Sequence, residues 1–248
     1  MRSRSARWLA LALSGVSSTV LAAPQAPSAQ SHPAAGPGIE PFAAHYIAEW
    51  HDISVGTSDL KLERDGPAGR YHYSWVVSAR GIFRLVYSDD LTQQSWFAIV
   101  DDHVRPDHYR GAQGSSSVSF QFDWSTGRAF GSSEGKPIDL VLKPGTQDLL
   151  SIQVEIMLDL KNGNLPTNFS IIDKDQVKDF LYTREGNAKL RTSIGSFDTI
   201  IVASRHDAND RRVLRMWFAP SLGFVPLQAE RTRDGKLEFA MRIRSLKR

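Results

Sequence analysis

The amino-acid sequence predicts a mainly β, single-domain fold: a strongly curved antiparallel sheet, or half-open barrel, wrapped around one long helix at about residues 148–161. Three observations carry that prediction. A single stretch, 145–161, has the 3.6-residue period of a helix, whereas most of what remains alternates with period two. The alternating runs recur about every 8–12 residues between Gly, Asn and Asp turns, the pattern of an antiparallel sheet that curls or closes. Finally, 248 residues with 41% apolar and 10% aromatic content suffice for one large β unit with a substantial core.

At the N-terminus, Arg2, Arg4 and Arg7 precede an apolar run at 8–20, followed by small residues at Ala22 and Ala23. This reads as a signal peptide over 1–22. The run holds 13 residues, short of the ~20 that a spanning helix needs. Residues 23–38 are rich in Pro, Ala, Ser, Gln and Gly without any period, and read as a disordered linker. The sheet domain is therefore expected over 39–248, exported, periplasmic and soluble after signal cleavage.

Along the domain, Phe42, Ala44, Tyr46, Ala48 and Trp50 share one strand face. The next strand, 53–64, contains Gly56, which suggests a bulge or bend. After a turn at 65–69, Tyr71, Tyr73, Trp75 and Val77 alternate with His72, Ser74, Val76 and Ser78. Short strands are expected at 85–87 and 94–100, then a charged loop at 101–110. Val118, Phe120, Phe122 and Trp124 alternate with polar residues, and short strands near 129 and at 138–142 lead to Pro144-Gly145.

In the helical stretch, Leu149, Ile152, Ile156 and Leu160 form one ridge, widened by Val154, Met157 and Leu158. Ser151, Glu155 and Asp159 remain as a narrow polar stripe. A helix so apolar must be covered over most of its surface, and strands are the only cover the chain supplies. Asp148 or Thr146 is placed to cap the first turn, where an acid complements the helix dipole; Asn162-Gly163 ends it. Strands are then expected at 169–172, 177–184, 188–193, 197–204, 212–219, 225–231 and 237–245, with a turn at Glu185-Gly186-Asn187.

In this order the chain resembles an uncharacterised family of exported bacterial proteins, domain-of-unknown-function family 3108. The matching residues are Pro41-Phe42, Ala44 and Tyr46; Gly69, Tyr71 and Tyr73; Arg105-Pro106 and Tyr109; Gly145, Gln147-Asp148 and Leu150-Ser151; and Trp217-Phe218-Ala219-Pro220 leading to Val225-Pro226. The resemblance implies a one-domain, mostly β, envelope-exported protein and brings no catalytic assignment.

Charge narrows the partners. The chain has 30 basic and 27 acidic residues, and removing the three Arg of 1–22 leaves 27 against 27 in residues 23–248. No nucleic-acid partner is expected from that balance. The charge is uneven, however: 205–248 holds 11 basic and 5 acidic residues, an Arg-rich end suited to anionic membrane surfaces or envelope proteins, or simply the solvent face of terminal strands. With no cysteine, disulfides, thiolate metal sites and cysteine nucleophiles are excluded.

Candidate chemistry is sparse. Asp101, Asp102, His103, Asp107 and His108 crowd one segment; His103, Asp107 and His108 are weak metal candidates, and a solvated loop is the plainer reading. No Gly-x-Ser-x-Gly, dinucleotide fingerprint or phosphate loop occurs, and Gly114-Ser115-Ser116-Ser117 reads as a turn. No catalytic residue and no cofactor is expected. The aromatic faces remain: Tyr46, Trp50, Tyr73, Trp75, Phe120, Phe122 and Trp217, with Met157 of the helix, are candidates to line an apolar ligand cavity between sheet and helix, or simply to pack as core. The leading expectation is a non-enzymatic periplasmic protein that binds or carries an apolar or lipidic ligand. An interaction module scaffolding an envelope complex is the alternative, and a hydrolase with an unrecognised site comes third.

Overall fold

The computed structural model describes residues 38–248 apart from 67–68, 87, 166 and 208. The expected signal peptide and all but the last residue of the expected linker lie outside the described residues. A first meander contains β1 (Phe42–Trp50), β2 (Ile53–Arg64), β3 (Arg70–Ala79), β4 (Leu91–Val100), β5 (His103–Gln113), β6 (Ser116–Asp123), β7 (Arg128–Ser133) and β8 (Lys136–Val141). The helix α1 (Ser151–Lys161) comes next. A second meander contains β9 (Asn168–Asp173), β10 (Gln176–Thr192), β11 (Gly195–Arg205), β12 (Arg212–Ala219), β13 (Val225–Arg233) and β14 (Lys236–Lys247).

All fourteen strands form one antiparallel sheet in the order β8 to β1, then β14 to β9. Pairing of β1 with β14 joins the two meanders, so β8 and β9 are the edges and α1 lies on the connection between them. The ladder is not closed, yet its edges lie close together. Thirteen inter-strand steps of about 4.8 Å would set them roughly 60 Å apart in a flat sheet. Gln147, six residues beyond β8 and so within about 20 Å of it, bridges to Ile171 of β9. Its N–H donates to Ser170 O at 2.8 Å, and its carbonyl accepts from Ile172 N at 2.9 Å. Lys143 Nζ adds an ion pair to Asp179 of β10 at 2.7 Å. The sheet must therefore curl.

Local chemistry explains the hairpins. His51-Asp52 and Asp101-Asp102 both have two successive positive φ values, the signature of tight two-residue loops that match strand twist. The segment expected as a loop at 101–110 is thus a turn leading into β5, in which Val104, Pro106 and Tyr109 are buried. Pro106 is tolerated because it sits at a register shift against β4. Of the strand expected at 85–87, Leu85 instead ends a 3₁₀ turn over Gly81–Leu85, and residue 87 lies outside the described residues. The turn expected at Glu185-Gly186-Asn187 is instead a bulge inside the continuous β10.

The helix is shorter than expected, 11 residues beginning at Ser151. Gln147 is held by β9 and the Asp148 side chain takes the first free amides, so the preceding turn is not helical. Nine of the eleven helical residues are buried, including Glu155 and Asp159 of the polar stripe. Val154, Ile156 and Met157 share a continuous core with Tyr46, Tyr73, Tyr109 and Phe218 of the sheet.

Candidate functional site

A cavity of about 590 Å³ opens between the first turn of α1 and the face presented by β1–β3 and β9–β14. Its floor is apolar, built from residues such as Tyr46, Leu60, Trp75, Met216, Ala229 and Phe239, with Leu150 and Ile152 of the helix above it. Alternation aims these side chains inward along each strand. The polar ends of two of its aromatics are already engaged: Tyr46 Oη donates to Pro226 O at 2.7 Å, and Trp75 Nε1 donates to Ser58 Oγ at 2.6 Å. These two rings therefore turn carbon surface to the cavity, beside the polar Gln153, Ser204 and Gln228.

The rim differs. Lys178, Arg205, His206, Arg212 and Arg231 border the cavity, against Asp173 and Asp210. Lys178 pairs with Asp173 at 2.6 Å, and Arg231 with Glu238 at 3.3 Å. Among the described residues, Arg205 and Arg212 have no carboxylate partner within ion-pair distance. The rest of the Arg-rich end is largely engaged within the fold: Arg211 with Asp234, Arg215 with Glu185, Arg233 with Glu238, and Arg242 with Glu49 and Glu230.

Of the eight side chains expected to line a cavity, Tyr46 and Trp75 do so. Tyr73, Phe120, Phe122 and Met157 are buried in the core instead. Trp50, at the end of β1, is 51% exposed, and Trp217 is half-buried on the face of β12 opposite Met216 and Phe218. The three candidate metal ligands diverge. His103 meets Glu155, Asp107 pairs with Arg70 at 2.7 Å, and His108 accepts from Arg110 Nε at 3.0 Å while its ring lies against Trp96. Burial, then the Arg110 charge, pulls the His108 pKa down.

Two polar clusters anchor α1. Asp148 is fully buried; its Oδ1 accepts from the N–H groups of Leu150 and Ser151, each at 2.8 Å, and its Oδ2 accepts from Ser95 Oγ of β4 at 2.6 Å. Ser151 Oγ accepts from Asp148 N at 2.9 Å, so the two residues cap each other. Burial pushes the Asp148 pKa up to about 6 in spite of these donors. Further along, Glu155 Oε2 accepts from Val104 N at 2.5 Å, and Glu155 Oε1 lies 2.8 Å from His103 Nδ1. The hydrogen bond to Glu155 raises the His103 pKa, while burial and then the Glu155 charge push Asp159 up to about 6. Helical spacing in the sequence puts Glu155 and Asp159 on one stripe but offers nothing to connect them with His103.

Residues 42–242 match the family described as Protein of unknown function (DUF3108). The chain belongs to this family. No curated protein matches this DUF3108 chain. Among solved structures, the complex of Pseudomonas aeruginosa MucA and MucB is similar at a TM-score of 0.36 and 10% identity, over 84% of this chain and 51% of that one. A crystal structure of MucB gives 0.34 and 12%, over 84% and 52%. The chain spans about half the length of both. No described helix is long and apolar enough to cross a membrane.

Proposed function

We propose that this DUF3108 protein is a non-enzymatic carrier of the bacterial envelope that holds a lipid with an anionic head in the trough between sheet and helix. In this reading the sheet cradles α1, and the cavity at the first turn of the helix is the part of the trough left for a ligand. The observation that carries it is the apolar cavity of about 590 Å³ with a basic rim. That volume lies within the ~300–1,000 Å³ typical of small-molecule sites. Burying ten methylenes contributes roughly 8 kcal/mol before association costs. Those costs run from about 4 to 15 kcal/mol, so an acyl chain alone binds weakly. Arg205 and Arg212 supply what decides affinity, charge-assisted contacts to a phosphate or carboxylate head. Native mass spectrometry of the protein purified from the periplasm should show a co-purifying or added phosphatidylglycerol. A clean unliganded mass that takes up no added lipid would count against the carrier.

A second reading, an interaction module in an envelope complex, is favoured by one surface. Ile82, Leu85 and Val86 are 73%, 85% and 74% exposed on the turn between β3 and β4. Trp50 and Ile53 are likewise exposed at the β1–β2 turn, and Arg80 N donates to Val55 O beside it. Contiguous exposed apolar residues mark contact surfaces. A photocrosslinker at Leu85 that captures one defined envelope protein in cells supports this module; capture of lipid alone speaks for the carrier.

A further inference from the structure

We infer that His103, Glu155 and Asp159 form a binding site for one divalent transition-metal ion, with Zn²⁺ as its natural probe. Each of the three offers one ligand atom, and these atoms lie within 4.8 Å of one another. Glu155 and Asp159 stand four residues apart on α1 and therefore share a face. His103 enters from the start of β5, directly after the hairpin turn at Asp101-Asp102. Imidazole nitrogen with carboxylate oxygen is a donor set that borderline divalent cations accept.

An independent observation points to an occupant. Asp159 is only 4% exposed, and its Oδ2 has no hydrogen-bond partner among the described residues. A buried polar atom left unpaired is destabilising, and more so when charged. Nor does a Lys or Arg neutralise the pair: among the described residues the one cationic side chain within ion-pair distance of Glu155 or Asp159 is His103. Lys161, at the end of the same helix, turns instead to Gly38 O at 2.8 Å. A cation among the three would satisfy the orphaned oxygen and balance both carboxylates.

The surroundings are already arranged for this. Val104 N holds Glu155 Oε2, which fixes the carboxylate and directs Oε1 towards His103, as outer partners of metal ligands do. The His103 side chain is 67% exposed, so its ring has room to turn a nitrogen to the ion and water can complete the coordination. Bound there, the ion ties β5 to the middle of α1 and holds the helix whose first turn roofs the lipid cavity. The site itself does not depend on that cavity being filled.

The full chain, stripped with chelator, is titrated with Zn²⁺ by calorimetry and with Co²⁺ by visible absorption. One ion per chain is expected, with the d–d bands of a nitrogen–oxygen site. His103→Ala and Asp159→Asn should each weaken Zn²⁺ at least about tenfold, whereas His108→Ala leaves it unchanged. His103 is largely exposed and Asn preserves the shape of Asp159, so both variants should fold; circular dichroism checks this. At equal Zn²⁺ concentration the melting temperature of the wild type should also rise more than that of His103→Ala. Absence of binding at about 1 mM free Zn²⁺, an affinity the same in His103→Ala and the wild type, or an equal loss in His108→Ala overturns the site.

Discussion

Asp148 concentrates the physics of this fold in one side chain. It accepts three hydrogen bonds, two from backbone amides and one from Ser95, yet its pKa is raised to about 6 because burial outweighs all three. A carboxyl whose folded pKa lies above its unfolded value binds protons more tightly when folded, so its contribution is fully present below about pH 4 and is lost as pH rises through 6. Two pKa units correspond to roughly 3 kcal/mol of lost stability at neutral pH. Asp148→Asn keeps an oxygen for the Leu150 and Ser151 amides and removes the charge. Urea unfolding as a function of pH should therefore show a shallower decline between pH 4 and 6 than the wild type, with Asp159, raised in the same direction, supplying what remains. Asp148→Ala loses the cap as well and should unfold more readily at every pH. The cap was visible in the sequence as an acid before an apolar run. Its complete burial against Ser95, 53 residues earlier, was not, because only the curled sheet brings β4 to the helix start.

The elements divide along the same line between local and distant information. β1 was legible because alternation reports burial of one face, as in Phe42, Ala44, Tyr46 and Ala48. β5 was hidden by Asp107, His108 and Pro106, whose polarity and ring suggest a loop until the bulge opposite Trp96 and Phe97 accommodates them. Glu185-Gly186-Asn187 has the composition of a turn between two strands, yet it forms a bulge in one strand of 17 residues. The helix was legible in its apolar ridge and too long by its first turn, since Gln147 pairs with a strand that lies later in the chain. Because α1 packs on nearly all sides, its energetics should be those of core. Met157→Ala, at a fully buried position, should cost about 2–5 kcal/mol in chemical denaturation, whereas Gln153→Ala, on the least buried position of the first turns, should stay within about 0.5 kcal/mol.

For the molecule as a whole, the proposed function rests on what the curl leaves open. Tyr46 and Trp75 could be picked from the sequence as inward-facing aromatics, but the basic rim could not, since Arg205 and Arg212 approach residues from the far meander only in three dimensions. Carriage requires that the cavity receive an apolar chain while the two arginines hold its head. Ala229 lies on the cavity wall away from the helix anchors, and Ala229→Trp projects an indole into the space. Arg205→Glu with Arg212→Glu leaves the cavity and reverses the rim. The most direct measurement is an equilibrium titration of a fluorescent phosphatidylglycerol against these two variants and the wild type. The wild type should bind saturably and one-to-one, Ala229→Trp should not bind, and the double arginine variant should bind at least about tenfold more weakly, as expected for losing one charge-assisted contact or more. No saturable uptake by the wild type, or equal uptake by all three proteins, would contradict the carrier.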